Sequence, residues 1–151
     1  MDDGEQDRVV RGAIARSLTE RGTIPTIANV AAAIGSDVAT AEESFCRLQD
    51  AHVFIPREGS NEIYAYDPFC IGPTDFRITA AGRDWWAICA WDALGVPPAL
   101  GATGTIVARC ADCGDPITIE VGLRGSAAAH DGAVLQIGVP AREFWKDIRF
   151  T

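Results

Sequence analysis

The sequence predicts an α+β protein, with a winged-helix-like segment over residues 1–66 and a small mixed α/β core with antiparallel strands over residues 67–151. Three observations predict it. Apolar residues recur at helical spacing in three successive stretches before residue 51, each bounded by a capping or stopping residue. Two short apolar runs separated by a turn-rich segment come next, which completes a helices-then-hairpin order. Beyond Asp67, strand-like runs alternate with Gly/Pro breaks.

The first helix is expected over about Asp7 to Glu20, with Val9, Val10, Ala13, Ile14 and Leu18 on one face and Gly22 as C-cap. After Ile24-Pro25, Thr26 caps a short second helix through Ala33 that ends at Gly35. The third starts after Ser36 or Asp37 and carries Val38, Ala41, Phe45 and Leu48 on one face. Val53-Phe54-Ile55 and Ile63-Tyr64-Ala65 read as strands joined by the turn-rich residues 56–61. In the second part, residues 68–73 read as a loop and Phe76 to Thr79 as a strand. Asp84 to Leu94 reads as a helix dense in tryptophan, broken by Gly95 to Gly101. Strands are expected at Gly104 to Arg109, Pro116 to Val121 and Ala133 to Val139, and a last short helix at Ala141 to Lys146.

Charge narrows the function. The 151 residues carry 13 Lys+Arg against 21 Asp+Glu, a formal charge of -8. A winged helix invites a DNA-binding reading, with the third helix in the major groove. Residues 1–66, however, hold eleven acidic residues against six arginines, a net charge of -5. Such a surface is repelled by phosphate, which favours a structural or partner-docking role and disfavours DNA. The N-terminus lacks a basic start with an apolar run behind it, and no apolar run approaches the ~18 residues of a membrane span. The expected setting is cytoplasmic, with no membrane partner. The five cysteines, Cys46, Cys70, Cys89, Cys110 and Cys113, form no repeating framework and are expected to be reduced thiols.

Two groups of residues could carry chemistry. Cys89 and Asp92 stand three apart in a helical stretch, so their side chains share a face. A thiol beside a carboxyl group is a nucleophile or soft-metal ligand with a proton carrier, or else a small buried hydrophobe beside a solvated acid. Cys110-Ala111-Asp112-Cys113-Gly114, between two strands, has the spacing of a zinc knuckle. Structural zinc is disfavoured because no second Cys pair or His pair completes four ligands. A reactive or soft-metal thiol pair and a packed turn with inert thiols both stay open. His52 and His130 have no sequence partner. No phosphate loop, nucleophile elbow or nucleotide fingerprint is present.

The runs Pro68-Phe69-Cys70-Ile71-Gly72-Pro73-Thr74-Asp75-Phe76-Arg77-Ile78, Trp86-Ala87-Ile88-Cys89-Ala90-Trp91-Asp92-Ala93-Leu94 and Thr105-Ile106-Val107-Ala108-Arg109-Cys110-Ala111-Asp112-Cys113-Gly114-Asp115-Pro116 resemble the core of the organomercurial (alkylmercury) lyases. That family also begins with a winged-helix-like segment. The resemblance implies that Cys89 grips the organomercurial, that Asp92 delivers the proton that breaks the carbon-mercury bond, and that Cys110 is structural. It implies a small-molecule substrate that brings mercury as its own part, with no cofactor required. The family's second catalytic cysteine lies in a Phe-Cys-Cys segment that aligns with Phe144-Trp145-Lys146, so Trp145 takes its place. The chain stops at Thr151, before the further C-terminal region of the lyases.

These features leave two expectations. In the first, the chain is an enzyme in which Cys89 and Asp92 act on a carbon-metal bond or, repurposed, on a small organic molecule. Trp86, Trp145 and Phe69 then contact substrate, and Cys113 joins Cys89 on the metal if its turn folds over it. Trp85 and Trp91 would help to wall an apolar pocket. In the second, the fold has lost catalysis and serves as a thiol-based metal or ligand sensor. Cys46 and Cys70 are read as bystanders, and a homodimer is left open.

Overall fold

The computed structural model describes residues 2–123, 125–127 and 132–148. The chain divides into two compact units, residues 1–66 and 67–151. His130 and most of the Ala127-Ala128-Ala129 patch lie outside the described residues. No described helix is long and apolar enough to cross a membrane.

The first unit opens with α1 (Asp3–Arg16). Asp2 caps it by accepting the Glu5 N–H at 2.8 Å. The helix widens into a π-helical turn, Ser17–Arg21, and stops at Gly22, whose φ of 72° few other residues adopt. Thr26 and Asn29 form a capping box on α2 (Ile27–Ile34), which Gly35 closes. Asp37 caps α3 (Val38–Asp50). Val10, Ile14, Val30, Phe45, Phe54 and Ile63 are fully buried together, and the Phe45 and Phe54 rings lie 5.5 Å apart. Val38 is 52% exposed rather than part of this face, and Ser44 is buried in its stead. As the first helical residue, Val38 sits at the rim, while Ala41, Ser44, Phe45 and Leu48 repeat toward the core. Ser44 is satisfied at 2.9 Å by Arg47, which also holds Asp7 at 2.7 Å.

The hairpin pairs β1 (Ile55–Pro56) with β2 (Ile63–Tyr66). It starts later than the expected Val53 because α3 unwinds through His52, whose φ is 59°, and the Val53 N–H turns back to the Leu48 carbonyl. Glu62 accepts the Ile27 N–H at 3.0 Å and ties the hairpin to the start of α2.

The second unit is an antiparallel sheet in the order β3-β5-β4-β6-β7-β8 with one helix packed on it, which makes the chain an α+β protein. Its strands are β3 (Phe69–Cys70), β4 (Phe76–Ala80), β5 (Arg83–Ala87), β6 (Gly104–Arg109), β7 (Pro116–Gly122) and β8 (Gly125–Ala127). Ile78, Ala80, Trp85, Ala87, Ile106 and Val121 alternate inward beneath α4 (Ala90–Ala99), which buries Ala93, Val96 and Pro97. Gly104 permits this approach, since a Cβ there would meet the Pro97 ring at 2.8 Å.

Four expectations are corrected. Residues 84–87 are strand, not helix. Ala81 and Gly82, both at positive φ, fold the chain back so that Ile78 faces Trp85, and the Trp85 indole N–H donates to the Ala80 carbonyl at 2.9 Å. Helix α4 therefore starts at Ala90, and it runs through Pro97 and Pro98 instead of breaking at Gly95. Each proline removes an N–H that would otherwise donate four residues back, and Pro97 is buried, with its ring against Gly104. The expected loop 68–73 contains β3, held by Cys70 opposite Trp86. No strand forms over 133–139; β7 instead returns at once, pairing Gly122 with Gly125, and β8 takes the sheet edge. The last helix, Ala141–Lys146, is a 3-10 helix.

Candidate functional site

The turn from β5 into α4 builds the site. Cys89 is the N-cap of α4 and Asp92 stands at the third helical position, the spacing of a capping pair. The Asp92 N–H reaches the Cys89 sulfur at 3.4 Å, and the thiol donates to Asp92 Oδ2 at 3.3 Å. The pair opens into a cleft of about 660 Å³. Asp67, Pro68, Ile88, Trp91, Gly95 and Ala99 line one part of it, and Leu135, Ile137, Phe144 and Ile148 another. The lining is mostly apolar, with Cys89, Asp92 and Asp67 as its reactive groups.

Burial sets the protonation of these groups. It pushes the Asp92 carboxyl up to about 6, and the neighbouring Asp67 carboxylate adds to the effect. The thiol hydrogen bond opposes both by favouring the Asp92 anion. Burial pushes the Cys89 thiol up to about 11, with backbone N–H groups opposing and the Asp92 charge adding. Asp67 is raised by burial as well. Cys70 rises to about 12, through burial first and then the charges of Asp92 and Cys89, which places this thiol within electrostatic reach of both. At neutral pH Cys89 is a thiol facing a carboxyl poised near its titration point.

The structure thus brings Cys89 and Asp92 together and leaves the other expected site residues elsewhere. Phe69 packs on Trp85, with ring centroids 5.1 Å apart. Trp86 covers Gly72, where a Cβ would fall 2.0 Å from the indole. Neither ring lines the cleft, and Trp145 does not line it either. Trp91, 65% exposed, and Phe144 supply its aromatic surface instead. Cys113 is exposed on the β6–β7 turn and absent from the cleft wall, so it is not brought to Cys89 there. Cys70, read from the sequence as a bystander, is buried and its thiol feels the charges of Asp92 and Cys89. Cys110, on the same turn as Cys113, has its pKa lowered by hydrogen bonds, first from the Cys113 and Asp112 backbone and then from the Cys113 side chain. Among the described residues, no three His, Cys, Asp or Glu side chains gather to hold a metal ion.

Asp67 and Cys70 were not legible as site residues. They precede Cys89 by more than eighteen residues, and only the pairing of β3 with β5 carries them to it.

A model of the alkylmercury lyase family, MerB, matches residues 69–151. Among solved structures, the chain is similar to the mercury-bound form of MerB2, with a TM-score of 0.63 and 26% sequence identity. The likeness covers 82% of this chain and 58% of that one, so this chain spans under two thirds of that protein's length. No curated protein matches the chain. The matched region holds Cys89, Asp92 and nearly the whole cleft, and covers more than half of the sequence: the chain belongs to the alkylmercury lyase family.

Proposed function

We propose that the chain cleaves the carbon-mercury bond of a small organomercurial, with Cys89 as the mercury ligand and Asp92 as the proton carrier. The observation that carries this reading is the 3.3 Å contact between the Cys89 thiol and the Asp92 carboxylate at the wall of an apolar cleft, within the family-matched residues. An R–Hg–X substrate lays its organic group against Trp91, Ile137 and Phe144. The Cys89 sulfur takes mercury, X⁻ leaves, and the thiol proton passes to Asp92. Asp92 then gives that proton to carbon, releasing R–H and leaving Hg(II) on the sulfur. The bond broken is carbon-mercury and the bond made is carbon-hydrogen, with no change of oxidation state that needs an outside reductant.

Burial of Asp92 assists the proton transfers and offsets the raised thiol of Cys89. A carboxyl that titrates near 6 takes the thiol proton more readily than an ordinary aspartate and still holds it close to neutral pH, ready for the carbon. We read residues 1–66 as a winged-helix-like module that docks a partner rather than DNA, from their acidic charge, and the protein as cytoplasmic.

The test is direct. Purified full chain, supplied with excess monothiol and a phenyl or alkyl mercurial, releases benzene or alkane, and Cys89→Ser and Asp92→Ala abolish the release. Mercurial binding without hydrocarbon release would overturn the enzyme reading in favour of a thiol-based sensor on the same fold.

A further inference from the structure

The β6–β7 connection has a geometry that the cleft chemistry does not use. Register pairing ends at Arg109 opposite Pro116. The Cys110 N–H donates to the Asp115 carbonyl at 2.8 Å, and the Gly114 N–H donates to the Cys110 carbonyl at 2.9 Å. Gly114 closes the turn at a φ of 77°, and Arg109 Nη1 clamps its carbonyl at 3.2 Å. Within this frame the Cys110 sulfur takes hydrogen bonds from the backbone N–H groups of Asp112 and Cys113 and from the Cys113 side chain. Cys110 is half-buried and Cys113 exposed, so the pair is open to solvent, and Asp112 and Asp115 add negative charge beside it.

We propose that Cys110 and Cys113 form a second soft-metal site, separate from the cleft: a two-thiol clamp for a two-coordinate cation such as mercury(II). The Cys110-x-x-Cys113-Gly114 turn, closed by Gly114 at positive φ and tied by the Cys110 and Gly114 backbone bonds, holds both thiols on one short loop between two strands, the arrangement of a two-thiol metal knuckle. No third ligand joins the pair among the described residues, which selects an ion satisfied by two thiolates over tetrahedral zinc. Binding forms two sulfur-mercury bonds and releases the thiol protons to water, with no electron transfer. At roughly 2.3 Å per metal-sulfur bond, a linear S–Hg–S unit needs the two sulfurs about 4.6 Å apart, a separation that rotation of the exposed Cys113 side chain adjusts. Because both thiols belong to one rigid turn, the second bond forms at a high effective concentration, and a solvent monothiol displaces the metal poorly.

The test uses full-length Cys89→Ser, which removes the cleft thiol, loaded with mercuric chloride and dialysed against a ~100-fold excess of monothiol. This variant should retain about one mercury per chain, and Cys89→Ser/Cys113→Ser should retain none. Equal retention by the two variants, or no retention by the first, overturns the proposal. Cys113 is exposed and its backbone bonds remain, so the serine leaves the turn formed; far-UV circular dichroism of the two variants should coincide. Thiol titration gives a second reading: the bound ion should protect two thiols in Cys89→Ser, and protection of a single thiol overturns the clamp. Both readings are metal retention in a chain that lacks Cys89, so they stand or fall apart from organomercurial cleavage.

Discussion

The Cys89 thiol donates to Asp92 Oδ2 at 3.3 Å while the Asp92 N–H returns to the Cys89 sulfur at 3.4 Å, so one helix cap both starts α4 and pairs a thiol with a carboxylate. The local geometry that begins the helix is therefore the geometry that aligns a mercury ligand with a proton carrier. Stability and chemistry share the same two side chains, and substitutions separate them.

Asp92→Asn keeps the size of the side chain but cannot carry the proton. Hydrocarbon release should fall by about 10²–10⁴-fold, the usual worth of a positioned acid-base group, while mercury binding through Cys89 persists. Single-turnover product release, measured beside equilibrium metal binding, checks both halves.

The same variant should be the more stable protein at neutral pH. The folded Asp92 titrates at about 6 against an ordinary 3.8, so burial penalises its charged form. Below pH 3.8 the group is neutral folded and unfolded, and wild type carries no penalty. The penalty grows as pH rises from there to about 6 and is complete above it. Thermal melts of Asp92→Asn should therefore run roughly 2–4 °C above wild type at pH 8 and coincide with wild type near pH 3, where equal gaps at both pH values would contradict the assignment.

Removing the Asp67 charge should shift the pH profile of catalysis without abolishing it. Asp67 helps to raise Asp92, so Asp67→Asn should bring the Asp92 titration below about 6. Since the first step needs Asp92 ionised to accept the thiol proton, the acid limb of the rate profile should move to lower pH. A profile that keeps its acid limb in place would show that the two carboxylates do not communicate.

Gly72→Ala tests how Trp86 is seated. A Cβ at Gly72 falls 2.0 Å from the indole, so the ring must move and β5 with it. A loss of about 1–3 kcal/mol in denaturant unfolding is expected for such overpacking. Gly59→Ser, at a turn position with open space around it but a φ of 67°, should cost less, through backbone strain alone, about 1 kcal/mol.

What the sequence determined by itself is what neighbours along the chain decide. Thr26 and Asp37 as caps, Gly22 and Gly35 as stops, strand β6 from Gly104 to Arg109, and the Cys89–Asp92 spacing all follow from interactions within a few residues, whereas the first helix starts at Asp3 under an Asp2 cap, earlier than the expected Asp7. The tertiary structure decided the rest. Residues 84–87 have an aromatic density that suits a helix as well as a strand, and only the turn at Ala81-Gly82 and the partner strand β4 choose between them. Phe69, Trp86 and Trp145 look as suited to a ligand as Trp91 and Phe144, but sheet register turns the first two onto Trp85 and Gly72. Asp67 and Cys70 reach the site through strand pairing, and the raised pKa values of Asp92, Cys89 and Cys70 arise from burial, which no spacing encodes. Hydrogen bonds a few residues apart are specified locally, whereas desolvation and long-range pairing exist only once the chain has closed on itself.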